Sequence, residues 1–205
     1  MGLYQSQVLP RIVDLVCGTR GFVRWRERVT GGLAGDVVEV GFGSGHNVPF
    51  YPEAVRTVYA VEPSDTSMRM ARRRTVRSKV KVVHVGLDGG AIDLADESCD
   101  GALMTFTLCT VSDPIQVLRE IHRVLVPGGR LHFLEHGIAP ETSVATWQYR
   151  LDPLERRLAD GCHLTRDART LVLAAHFVIE DFEQGYAAGP KPWSYFSVGR
   201  ATKVL

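Results

Sequence analysis

Three glycines at alternate positions, Gly41, Gly43 and Gly45, follow the apolar run Val37-Val38-Glu39-Val40 and lead into His46 and Asn47. A buried strand ending in such a turn can bring main-chain N–H groups against a polar small molecule, because no Cβ stands between backbone and ligand. The chemistry suggested is the cradling of a nucleotide-like cofactor. Glu62, about twenty positions past Gly41, closes a second β-branched run, where a carboxylate can accept from both ribose hydroxyls. His136 ends an apolar strand-like run and His163 sits in a loop that opens on Gly161. An imidazole is a suitable proton acceptor near neutral pH, and a buried histidine held by hydrogen bonds is the competing reading for both.

Those side chains need a scaffold that gathers strand ends. β-Branched and apolar runs at 37–40, 55–61, 79–85, 100–106 and 130–135 read as strands. Between them lie a short helix at 48–51 that Pro52 stops, a helix at 66–77 capped by Ser64 or Asp65, and a helix at 115–125 behind Asp113-Pro114. Pro127-Gly128-Gly129 is expected to end the last of these. Strand and helix alternate, which implies right-handed crossovers and a parallel sheet. After residue 137 the pattern changes to helices at 147–158 and 166–174, then strands at 177–184 and 195–202 joined by the Gly/Pro-rich 185–192. A connection without a helix makes those two strands an antiparallel pair at the sheet edge. The expected fold class is α/β, a Rossmann-like doubly wound sheet of seven strands, mostly parallel with a C-terminal antiparallel pair. One domain over 1–205 is expected, with a helical lid (1–32), a cofactor-binding half (33–136) and a substrate-side half (137–205).

Composition narrows the function classes. The 205 residues are 45% hydrophobic and 23% charged, values of an ordinary globular protein. A formal net charge of +1 supplies no global field for nucleic acid, so no nucleic-acid partner is expected. The amphipathic start carries Arg11, Arg20, Arg24, Arg26 and Arg28 against Asp14 and Glu27. This reads as a lid or packing helix with a solvated arginine face, and peripheral contact with an anionic membrane is the alternative. Arg69, Arg72, Arg73, Arg74 and Arg77 likewise read as an outward helix face. Cys17, Cys99, Cys109 and Cys162 lack C-x-x-C spacing, and no run of signal-peptide or membrane-spanning length occurs. A cytoplasmic location with reduced thiols is expected. The histidines show no paired ligand spacing, so no metal is expected.

His46 stands where the dinucleotide fingerprint G-x-G-x-x-G places its third glycine, and Glu62 suits either class of nucleotide cofactor. The order of the remaining parts separates them. The run 37–47, the strand ending in Glu62-Pro63, Asp96-Glu97-Ser98-Cys99-Asp100 and the segment 118–130 together resemble successive motifs of the class I S-adenosylmethionine-dependent methyltransferases. The resemblance covers roughly 33–135 and implies S-adenosylmethionine as cofactor. It implies Glu39, Gly41, Phe42, Gly43 and Gly45 around the methionine part and Glu62 at the ribose, with Asn47 and Pro63 in the same shell. It further implies Met68 near the adenine, Gly86, Leu87 and Asp88 at its edge, and Thr105 and Phe106 facing the methionine and sulfonium.

Segments outside those motifs carry a narrower likeness. Phe133-Leu134-Glu135-His136-Gly137, Trp147-Gln148, Asp152-Pro153, 161–167 and 108–111 resemble the thiol S-methyltransferase branch often called methyltransferase-like seven. Its animal members are membrane-associated and methylate hydrogen sulfide and small alkyl thiols, which implies a small-molecule acceptor of that kind here. This chain departs from the branch at Gly137 and His163. A thiol with a pKa near 8.5 is partly ionised at neutral pH, so positioning and a modest base suffice. His136 or His163 is expected to take the proton, Cys109, Trp147 and Gln148 to line the acceptor pocket, and Tyr4 and Trp25 to close it from above. Arg166 and Asp167 are expected to cap and charge a helix start. The rival readings are a phospholipid or quinone methyltransferase and a non-catalytic cofactor-binding module.

Overall fold

The computed structural model describes residues 3–159 and 161–203. The strands are Gly35–Val40 (β1), Val55–Val61 (β2), Lys81–Gly86 (β3), Cys99–Thr105 (β4), Leu125–His136 (β5), Phe177–Tyr186 (β6) and Tyr195–Lys203 (β7). They form one sheet in the order β3-β2-β1-β4-β5-β7-β6. The first five are parallel, and β7 runs antiparallel between β5 and β6. The expected fold class is therefore the observed one. Strand order reverses at β1, whose neighbours are β2 and β4, so the glycine turn lies at the crevice where open α/β sheets take ligands.

Helices cover both faces. They are Leu9–Cys17 (α1, entered through a π-helical turn at Tyr4–Val8), Val23–Thr30 (α2), Asp65–Thr75 (α3), Pro114–Val124 (α4), Thr142–Leu158 (α5), Ala168–Ala174 (α6) and Lys191–Ser194 (α7). Alternation within the central strands divides the core. Val38, Val40, Ala102 and Met104 face Val117, Leu118, Ile121 and Val124 of α4. Val37, Val58, Ala60 and Leu103 face Trp25 and Val29 of α2 and Ala71 of α3. Burying a large apolar side chain contributes about 1.5–3 kcal/mol, so these two layers hold the strand ends in place.

Local chemistry sets the boundaries. Ser64 caps α3 by accepting from Ser67 N at 3.2 Å, and Asp113 caps α4 by accepting from Gln116 N at 2.9 Å. Pro127-Gly128-Gly129 does not end a helix as expected: α4 already stops at Val124, and β5 begins at Leu125 and passes through the Pro-Gly-Gly segment where its pairing with β4 is irregular. Helix α5 starts at Thr142, ahead of the expected 147, and keeps Pro153 inside it. Helix α7 occupies part of the connection expected to be bare loop.

Arg11, Arg20 and Arg24 are exposed as the expected solvated arginine face requires, and Arg26 is the exception. Arg26 is 4% exposed, and Trp25, expected over the site, is 2% exposed and packs against Phe196 in the core. Conversely, Val8, Ile12, Leu15 and Val16 are exposed. This segment spans from α3 to α5: Thr66 Oγ1 donates to Ser6 O at 2.8 Å, and the Tyr4 hydroxyl donates to Leu158 O at 2.9 Å. Among the described residues, no helix is long and apolar enough to cross a membrane.

Candidate active site

The glycines of the turn have three different jobs. A Cβ on Gly41, where φ is +76°, would stand 1.9 Å from Thr107 Oγ1, so this glycine makes room for the loop after β4. A Cβ on Gly45, at φ +78°, would press on Val48, Ala71 and Phe42 at 3.3–3.4 Å, so it serves helix packing. Gly43, at φ +56°, has only Gly41 O within 4 Å of that position, at 3.9 Å. Open space on that side of a left-handed backbone is where a ligand can meet main chain. Beside it, Glu62 accepts from Gly43 N at 2.7 Å and from Ser64 N at 2.9 Å, which aims its carboxylate at the same space. The residues present fit a nucleoside-bearing cofactor in this cradle. Met68 packs in the layer under the turn, Pro63 follows Glu62, and Gly86 O accepts from Glu62 N at 3.0 Å. Leu87 is exposed, and Asp88 accepts from Gly90 N at 2.7 Å.

Behind the turn runs a buried polar chain. Arg26 Nη1 donates to Asn47 Oδ1 at 2.6 Å, and Asn47 Nδ2 donates to Glu39 Oε1 at 2.7 Å and Thr105 Oγ1 at 3.0 Å. The Tyr51 hydroxyl donates to the second Glu39 oxygen. Full burial pushes Glu39 up to about 7 against the pull of Tyr51, Asn47 and Arg26. Each Glu39 oxygen accepts from a protein group, which holds Asn47 and Tyr51 in place behind the turn. Sequence reasoning placed Arg26 on the surface and passed over Tyr51. An arginine beside a tryptophan on a short helix was the available signal.

Across the sheet, the 107–111 loop is clamped from two sides. Glu135, at 1% exposure, accepts from the backbone N–H groups of Thr107 (2.9 Å), Leu108 (3.0 Å) and Cys109 (3.2 Å). Burial pushes its carboxyl up to about 7, opposed by those three donors. Arg166 Nη1 donates to Leu108 O at 2.6 Å and Val111 O at 2.7 Å, and His163 N donates to Cys109 O at 2.7 Å. Arg166 therefore does more than charge a helix start, whereas Asp167 caps α6 as expected by accepting from Arg169 N at 3.0 Å. Cys109 is 2% exposed, and its thiol is held well above the usual range by its contact with Cys162 and by burial. The signal for Glu135 was a carboxylate inside an apolar strand.

A cluster of aromatic rings, an aromatic box, packs at the carboxyl ends of β4 and β5. Phe106, in the strained left-handed region at φ +55°, lies 5.4 Å from Phe22, 5.1 Å from Phe196 and 5.2 Å from His136, centroid to centroid. His136 also packs at 5.1 Å on Phe196. Burial pushes His136 down to about 4, with a hydrogen bond to the Trp193 backbone acting the other way, so the imidazole is neutral at pH 7. Phe22 and Phe196 were not foreseen; both come from segments outside the recognisable motifs.

Several acceptor-side expectations are corrected. Trp147 is 55% exposed with Arg150 over its ring, on the outer face of α5 and away from the aromatic cluster. Gln148 is 1% exposed and committed to backbone: it accepts from Ala139 N at 2.8 Å and donates to Gly137 O at 3.0 Å and Pro192 O at 3.1 Å. Tyr4 tethers the N-terminal turn to the end of α5. The His163 ring lies 3.5 Å from Asp152 and is lowered by burial and Arg166, outside the aromatic box.

Known proteins resemble this chain in sequence and in fold. A family described as methyltransferase domain matches residues 38–133. The thiol S-methyltransferase TMT1B of Rattus norvegicus is 36% identical over 169 residues, covering 80% of this chain and 66% of that protein. Its Homo sapiens counterpart is 36% identical over 176 residues, covering 82% and 69%. The chain thus spans about two thirds of the length of these relatives. A solved S-adenosylmethionine-dependent methyltransferase of Thermotoga maritima, described as a possible histamine N-methyltransferase, shares the fold with a TM-score of 0.70 at 22% identity, covering 98% of each chain.

Proposed function

The chain belongs to the S-adenosylmethionine-dependent methyltransferases, and from that premise we propose that it methylates the sulfur of a small thiol or of hydrogen sulfide. The observation that carries the proposal is the neutral aromatic box of Phe22, Phe106, His136 and Phe196 at the carboxyl ends of β4 and β5. An amine acceptor calls for a carboxylate to hold its ammonium form. Glu135, the carboxylate beside the box in sequence, is occupied by three backbone N–H groups. A thiol is neutral until it loses its proton and does so near pH 8.5, which suits an apolar box with one imidazole. The printed name of the TMT1B relatives supports the same acceptor class.

When bound, S-adenosylmethionine supplies an electrophilic methyl group on a sulfonium. In this reading Gly43 admits it to the turn and Glu62 takes the ribose hydroxyls. Thr105 and Phe106 border the methionine part. The His136 ring nitrogen not turned to Trp193 accepts a hydrogen bond from the thiol S–H and orients its sulfur, while Phe22 and Phe196 exclude water around it. An imidazole held near 4 does not carry the proton off at pH 7, so that proton passes to solvent. Orientation carries most of the rate, since a thiolate needs little further activation.

Methyl-labelled cofactor offered with sulfide, an alkyl thiol, phosphatidylethanolamine and a demethylated quinone tests the reading. Label is expected in the sulfide or thiol product; label in the lipid or quinone fraction alone would overturn it. His136→Ala is expected to lose activity about tenfold at pH 7 and pH 9 alike with cofactor binding intact, and recovery at pH 9 alone would assign proton acceptance instead. Equal loss at both pH values assigns His136 to positioning.

A further inference from the structure

A groove of about 710 Å³ lies between α1 and α3, and none of the aromatic box residues lines it. Its walls carry Arg11 from α1 and Arg69, Arg73, Arg74 and Arg77 from α3 and the turn that follows. Asp14 is the one carboxylate in the lining, and it is already engaged by Arg74 at 3.1 Å and His46 at 2.9 Å. Arg69 donates to Thr66 Oγ1 at 2.7 Å and Arg11 to Gln7, both neutral acceptors. Among the described residues, Arg11, Arg69, Arg73 and Arg77 have no acidic partner. In a chain whose formal charge is +1, four unneutralised guanidinium groups in one groove are a local excess that repels itself unless an anion enters.

Spacing narrows the anion. Arg69 and Arg73 are one helical turn apart, ~6 Å along the axis, and Arg77 follows in the turn that ends the helix, so the charges extend beyond one step. A single phosphate meets one step of such a row. Planar guanidinium forks match phosphate oxygens, and Val48, Pro49 and Met70 add apolar surface that strengthens charge pairing. The groove is also wired to the cofactor turn. Arg74 Nη1 donates to Ser44 O at 2.8 Å, and Ser44 Oγ donates to Asp14 at 2.6 Å, so the residue between Gly43 and Gly45 is held by the groove wall.

We propose that this groove binds an anion carrying two or more phosphate groups, free or as a lipid headgroup, and that its occupant competes for Arg74 and so loosens the cofactor turn. The idea is independent of which acceptor the enzyme methylates. Calorimetric titration of the full chain with tripolyphosphate at about 0.15 M salt tests it. Saturable binding is expected, weakened at least about tenfold in Arg73→Ala/Arg77→Ala and less than about twofold in Arg119→Ala/Arg157→Ala, which removes the same charge elsewhere. Equal affinity in the two double variants overturns the site. Phosphatidylcholine vesicles with and without phosphatidylinositol bisphosphate separate the sources. Binding to the phosphorylated vesicles alone, lost with Arg73→Ala/Arg77→Ala, assigns the lipid headgroup, and binding of tripolyphosphate assigns the free anion. Binding of neither overturns the proposal. Cofactor affinity is expected to fall about fivefold at saturating tripolyphosphate, and an unchanged value overturns the coupling through Arg74.

Discussion

Around the glycine turn most partners lie close along the chain: Glu39 with Asn47 is 8 positions apart, Gly43 with Glu62 is 19 and Arg26 with Asn47 is 21, and the one long link in that polar chain is Asn47 with Thr105 at 58. Around the 107–111 loop the separations are longer, from 26 between Cys109 and Glu135 to 58 between Leu108 and Arg166. The donor side is thus a local motif, and the acceptor side is assembled by the sheet from distant segments. A cofactor site of the first kind can be written into a short stretch of sequence. An acceptor site of the second kind exists only once β4, β5, β7 and the loop before α6 have met.

That contrast can be broken experimentally. Its largest test is Glu135→Ala, which leaves three buried N–H groups without an acceptor. We expect a loss of about 4 kcal/mol in urea unfolding, since each buried orphan donor costs about 1–3 kcal/mol. A loss under 1 kcal/mol would mean the acceptor loop stands without its long-range clamp. Next is pH. His136 is held near 4 in the fold against about 6.5 unfolded, so its contribution is present above pH 6.5 and is lost as pH falls through 4. That loss is about 3 kcal/mol for this group, and His136→Phe should show a correspondingly shallower acid limb in its unfolding profile. Gly43→Val should weaken S-adenosylmethionine binding about a hundredfold and also lower Tm by a few degrees, because its Cβ enters ligand space and a β-branched residue is strained at φ +56°. Unchanged cofactor affinity would remove the turn from the donor site. The smallest expected effect is Trp147→Ala. An exposed ring outside the box should alter acceptor KM by less than about twofold, and a tenfold rise would restore it to the acceptor wall.

The same contrast explains what could be read from the sequence. β-Branched runs and capped helices revealed the parallel strands, and the short Gly/Pro-rich 185–192, too short for a crossover helix even though α7 starts in it, revealed the antiparallel pair. The side on which residues 25, 26, 147 and 148 fall was not legible. Trp25 and Arg26 are adjacent on α2 and both buried, because α2 is packed against the core on one flank and hydrogen-bonds Asn47 and Cys17 on the other. On α5 the outward residue is Trp147 and the inward one Gln148, the reverse of what hydrophobicity alone would choose. Gln148 is inward because three backbone groups need its amide, a demand that arises only after residues 137, 139 and 192 converge.

The contact between Gly41 and Thr107 bears on how such an enzyme could be redesigned. Residues 108–111 look like a cassette that could be exchanged to change the acceptor, but position 107 is keyed into the hollow left by Gly41 and its hydroxyl also donates to Val40 O at 3.1 Å. A graft that carried a bulkier residue at 107 would be rejected by the donor turn before it met any substrate. New specificities are therefore best sampled from residue 108 onward, with Gly41 and Thr107 transplanted as a matched pair.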